Sequence, residues 1–187
     1  MKKSGICVLV MISLVISCVS VPPPSTEEVA TLQKAREDQV HGDHDWVVHD
    51  MEKYIQDHPG SSLLAEAHLL VGDSYKGQID TARIEKKITG MILTSHTAPL
   101  IRKAYENYMA AAEGAMSDGI ASEAMFNAAV ILDIDYMKNF ERALVLYGMV
   151  INKFPGTIWA EKAQIRYDNL DGKFRTLKAG PHRAPGE

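Results

Sequence analysis

Cysteine is almost absent: Cys7 and Cys18 are the only two in 187 residues. Two thiols cannot build a multi-disulfide framework or a Cys-based zinc cluster. Aromatic residues make up only 7%, and the plentiful Ala, Leu, Glu, Lys and Met favour helices over a β-sandwich. Basic charge is not in surplus, since 20 Lys and Arg stand against 24 Asp and Glu for a net −4. That balance leaves no electrostatic footprint for nucleic acid. The chain has no GxSxG elbow, Walker A loop, Gly-rich dinucleotide loop or HExxH helix, so the usual signatures of hydrolytic, phosphoryl-transfer, redox and zinc-protease chemistry are missing. Carboxylate pairs such as Asp133 and Asp135 read as solvated groups, because glycoside cleavage needs two carboxylates flanking a cleft. No enzyme, no cofactor and no metal are expected.

The one long apolar run, Ile6 to Ile16, has eleven residues, short of the roughly 20 that span a bilayer. Lys2 and Lys3 precede it and the small pair Ser17 and Cys18 follows, the order of an export signal. VISC, Val15 to Cys18, resembles a bacterial lipobox. The resemblance implies removal of residues 1–17 and attachment of lipid to Cys18, with palmitate as a usual acyl group. An ordinary secretory signal cut a few residues later and an uncleaved anchor extended through Val21 are the alternatives. Loss of Lys2 and Lys3 would leave 18 basic against 24 acidic side chains, net −6. Attachment would then rest on lipid rather than on attraction to anionic headgroups. Val19, where Asp commonly retains a lipoprotein in the inner membrane, favours the outer membrane.

Residues 18–25 form a tether in which Pro22, Pro23 and Pro24 hold an extended run. Ser25 or Thr26 suits a helix cap, with Glu27 and Glu28 at the positive end of the helix dipole. From 26 to 172 nearly every segment has helical spacing, and 173–187, rich in Pro and Gly, reads as a fraying tail.

An internal repeat lies at an offset of 96 residues. Val47, Val48, Met51, Tyr54 and Ile55 align with Ala143, Leu144, Tyr147, Val150 and Ile151, each set forming one helical face. Pro59-Gly60 and Pro155-Gly156 follow, and a new helix is expected under Ser or Thr. The unit is helix, turn, helix, and the offset is close to three periods of about 32 to 34 residues. Here the chain resembles the tetratricopeptide (TPR) family: Ala143, Tyr147, Val150 and Pro155 occupy one part of its pattern, and Val71, Gly72 and Tyr75 another. GDHDWV, Gly42 to Val47, and KNFERA, Lys138 to Ala143, resemble its inter-helix turn. The resemblance implies an all-α, right-handed solenoid of helical hairpins, with helices near 26–40, 45–58, 62–76, 119–133, 140–153 and 158–170. The stretch 77–118 departs from the pattern, with GMILTSHTAP as an apolar loop between two helical segments.

HGDHDWVVHD, His41 to Asp50, gathers three His and three Asp. Spacings of three and five do not bring His41, His44 and His49 to one helical face, so tetrahedral closure on a metal has no support. The repeat gives them other places: His41 ends a helix, His44 stands where the second copy has Phe140, and His49 faces outward, with Asp45 at i, i+4 from it. A metal-dependent enzyme using this segment is the rival reading. Helical spacing accounts for Met125, Phe126, Phe140 and Tyr147 as core.

First helices of such hairpins line an inner face, which makes Asp73, Glu123, Asn127 and Arg166 the candidate partner contacts. The chain is similar to the lipoprotein subunits of outer-membrane β-barrel assembly machinery and to Tol-Pal coordinator proteins. That similarity implies an adaptor or scaffold binding protein partners in the cell envelope, facing the periplasm. An accessory lipoprotein of a pilus, secretion or polysaccharide-export complex is the alternative.

Overall fold

The computed structural model describes residues 23–89, 94–133 and 139–179. Cys18 and the expected export signal, residues 1–17, lie outside the described residues. Among those described the protein is all-helical: α1 (Thr26–His41), α2 (His44–Asp57), α3 (Leu64–Thr89), α4 (Thr94–Gly114), α5 (Asp118–Asp133), α6 (Phe140–Lys153) and α7 (Ile158–Ala179). No helix among the described residues is long and apolar enough to cross a membrane.

Each helix packs on the next. The odd-numbered helices also touch one another, α1 on α3, α3 on α5 and α5 on α7, whereas among the described residues no two even-numbered helices bring their backbones together. The odd helices therefore form the crowded inner layer and the even helices the splayed outer one. Side chains such as Arg142 of α6, whose guanidinium lies 4.9 Å from the centre of the Tyr105 ring of α4, bridge the outer layer. At the middle of the stack α5 has the Ala-rich sequence AAVIL, and Ala128, Ala129, Val130, Ile131 and Leu132 are all buried. Small side chains let neighbouring helices approach it from several directions.

The two copies of the 96-residue repeat form matching helices, α2 and α6, of 14 residues each. Both begin under a residue whose side chain makes no cap bond, Asp43 or Asn139, and both end on a residue near φ −125°, His58 or Phe154. The turns that follow diverge. Thr157 caps α7 by accepting from the Ala160 N–H at 3.1 Å, whereas Ser61, its counterpart, hydrogen bonds the Tyr54 hydroxyl at 2.7 Å.

The stretch 77–118 is more regular than its sequence suggests. α3 runs on past residue 76 to Thr89, and α4 occupies Thr94–Gly114 with Pro99 inside it. Residues 94–99 of the expected apolar loop GMILTSHTAP are thus helical, and 90–93 lie outside the described residues. At the far end α7 continues to Ala179.

Ser25 closes the start of α1 with a capping box. Its hydroxyl accepts from the Glu28 N–H at 3.1 Å, and Glu28 Oε2 accepts from the Ser25 N–H at 2.7 Å. Glu28 Oε1 also accepts from the Tyr54 hydroxyl at 3.0 Å. The Ser25 backbone N–H, with the hydroxyls of Ser61, Ser25 and Tyr54, holds the Glu28 carboxyl down at about 2, against an ordinary 4.5. A carboxyl depressed by folding stabilises the fold above its unfolded value and loses that contribution as pH falls through its folded one. Glu28→Gln is therefore expected to melt below the wild type near neutral pH, with the gap closing between 4.5 and about 2. Thermal melts followed by circular dichroism across that window check it, and a gap that persists at the acid end would refute it.

Candidate functional site

α3 contributes Asp73 to the inner layer and α5 contributes Glu123 and Asn127, so three of the four side chains expected at a recognition surface come together. Asp73 Oδ1 accepts two hydrogen bonds, from the Tyr108 hydroxyl of α4 at 2.8 Å and from Asn127 Nδ2 at 3.3 Å. Among the described residues its Oδ2 has no hydrogen-bond partner, and it is not among their buried unpartnered side-chain atoms. The carboxylate is thus fixed through one oxygen, while the other makes no hydrogen bond with the described residues.

The electrostatics match that geometry. Burial pushes the Asp73 carboxyl above the usual carboxylate range, with the Tyr108 hydrogen bond and the more distant Lys76 pulling the other way. Glu123 is also raised, first by burial and then by the Asp73 charge, and Lys162 opposes the shift. Burial, and next the charge on Asp73, raise the Tyr108 phenol well above its ordinary value. Tyr108 therefore keeps its proton near neutral pH and donates it toward the Asp73 carboxyl.

Arg166 goes elsewhere. Its Nη1 sits 3.4 Å from Asp133 Oδ2, which also accepts from the Tyr147 hydroxyl at 3.2 Å. This second cluster has the same layout as the first: a carboxylate on an odd helix, a tyrosine from the next even helix, and a nitrogen donor from the following odd helix. Tyr108 is the site residue that the sequence reading missed. Its signal was the apolar face Ile101, Ala104, Tyr108 and Ala111, all buried, at the three- and four-residue spacing of a helix.

The histidines separate in space as well as in role. His44 lies against α3 where Gly77 leaves room, since a Cβ there would stand 2.2 Å from His44 Nε2. His49 is exposed, its ring edge-on to Trp46 with centroids 6.4 Å apart. Asp45 bonds Gln78 Nε2 at 2.7 Å instead of His49. Among the described residues no group of three or more His, Cys, Asp and Glu side chains is arranged to hold a metal ion.

No protein-family model, curated protein or solved structure matches the chain.

Proposed function

We propose that this chain is a lipid-anchored adaptor of the bacterial cell envelope. In this reading it is a short TPR-like solenoid, held through Cys18 at the outer membrane and facing the periplasm, that binds protein partners within an envelope assembly. The observation that carries the reading is Asp73, a largely buried carboxyl gripped through one oxygen by side chains of two other helices, its second oxygen without a hydrogen-bond partner among the described residues. Burying a charge disfavours folding unless something compensates it. A donor from a partner, laid along the odd helices as stacked hairpins commonly receive a segment, would supply that compensation. The export signal and Cys18 supply the location, and the absence of a recognised catalytic motif favours binding over turnover.

Asp73→Asn keeps an acceptor for Tyr108 and Asn127 but removes the charge. The variant is expected to melt no lower than the wild type at neutral pH and to retain about tenfold less of the partner that copurifies with the acylated protein from envelope fractions, the loss of one charge-assisted hydrogen bond. Full retention of that partner by Asp73→Asn would sink the inner-layer reading. Cys18→Ala is expected to leave the membrane, and a variant that is processed and stays membrane-bound without other proteins would refute the anchor.

A further inference from the structure

The turn between α1 and α2 borders a cavity of about 450 Å³, lined in part by Asp43, His44, Asp45, Trp46, Gln78 and Thr81. That volume falls in the ~300–1,000 Å³ range of small-ligand pockets. Two features of its wall call for an occupant. Trp46 is 66% exposed although it stands in the first turn of a helix with a buried face. Asp43 precedes α2 without a side-chain cap bond, and its carboxylate makes no hydrogen bond or ion pair with the described residues.

The charge of the cavity selects the ligand. Two carboxylates line it, and no lysine or arginine does so among the described residues. Lys34, the lysine that feels the Asp43 charge, is committed to Asp38. The α2 N-terminus offers about half a positive charge, too little to balance two carboxylates. The protein's other tryptophan already has its cation, with Lys162 Nζ 3.9 Å from the centre of the Trp159 ring. Trp46 has none among the described residues. Asp45 is held in place by Gln78 at 2.7 Å, so the acidic wall is anchored to α3.

We infer that this cavity receives a cationic side chain, an arginine or lysine presented by a protein partner, with its charge over the Trp46 ring and its N–H groups on Asp43 and Asp45. A planar guanidinium fits best, since it stacks on an indole and donates in the same plane to carboxylates. That the cation belongs to a protein rests on the adaptor reading. The site itself does not.

The test is a titration of the ¹⁵N-labelled full chain, purified in detergent, with acetyl-arginine amide, following the Trp46 indole and Gln78 side-chain signals. Acetyl-citrulline amide, the neutral isostere, and a neutral disaccharide serve as comparisons. Saturable shifts with the arginine probe are expected, about tenfold weaker with citrulline, abolished in Trp46→Ala and weakened in Asp43→Asn/Asp45→Asn. Equal binding of the citrulline probe, binding of the disaccharide in preference to arginine, or no saturable shift would overturn the proposal. Because none of these arms requires a natural partner, arginine binding in a protein whose Asp73→Asn variant loses no partner would leave this site standing and remove the inner-layer reading. The converse result would do the reverse.

Discussion

Tyr108→Ala is expected to lower the stability of the fold by about 3–5 kcal/mol, the cost of deleting a large buried ring. Tyr108 is completely buried, its ring lies over Gly72 of α3, and its hydroxyl makes the shorter of the two bonds to Asp73. The substitution opens a cavity at the α3 and α4 contact and strips a partly buried carboxylate of its better donor at once. Tyr108→Phe separates the two effects. It keeps the ring, and a loss of about 1–2 kcal/mol is expected from the missing hydrogen bond to a largely buried carboxyl. Urea midpoints at unchanged slope measure both. Equal costs for the two variants would mean that the ring contributes nothing.

The same pair makes a pH prediction opposite in sign to that at Glu28. The folded-state carboxyl of Asp73 titrates above its ordinary 3.8, so folding favours its protonated form. The corresponding stability is fully present below 3.8 and is lost as pH rises through the elevated folded value. Asp73→Asn removes that dependence. In Tyr108→Phe the carboxyl rises further, because the Tyr108 bond is the larger of the two influences opposing the shift, and the window extends upward.

The helix pairs were legible wherever periodicity and punctuation agreed. α2 and α6 could be read because 96 residues separate two copies of one apolar face, each closed by Pro-Gly, and these are local signals. α3 and α4 were read less well for equally physical reasons. Gly77 looks like a breaker, yet it sits in mid-helix because His44 occupies the space a side chain would fill. Pro99 looks like a loop residue, yet it lies in the second turn of α4, where it forgoes one backbone bond near the helix start. In both cases a tertiary contact or position overrode local propensity. The same limit governed the site. Asp73, Glu123 and Asn127 were found as residues of one layer, but Tyr108 lies in the stretch 77–118, which was read as helical yet outside the repeat pattern, so no facing partner could be assigned to it. Arg166 was grouped with them because spacing along a helix says nothing of which carboxylate a long side chain will choose.

The two glycines that α3 turns toward its neighbours should respond differently to the same methyl group. In Gly72→Ala the new Cβ would stand 2.7 Å from Tyr108 Cδ1 and 2.8 Å from Cε1, too close for contact. The ring has no exposed edge and is tethered through its hydroxyl, so α3 and α4 must part. A loss of about 2–3 kcal/mol is expected, at the upper end for overpacking, even though alanine gains about 1 kcal/mol over glycine in helix propensity. In Gly77→Ala the clash is nominally worse, at 2.2 Å from His44 Nε2. His44, however, is only partly buried and borders the open cavity beside Trp46, into which its ring can swing. The propensity gain then offsets much of the displacement, and a net cost within about 1 kcal/mol is expected, with a shift of the Trp46 indole signal as the ring moves. Combining Gly72→Ala with Tyr108→Ala tests the account of the first site directly. If the methyl group clashes with that ring, the double variant should be more stable than the sum of the single losses predicts, because the alanine at 72 has nothing left to strike. Strict additivity would show that Gly72 is required for some other reason.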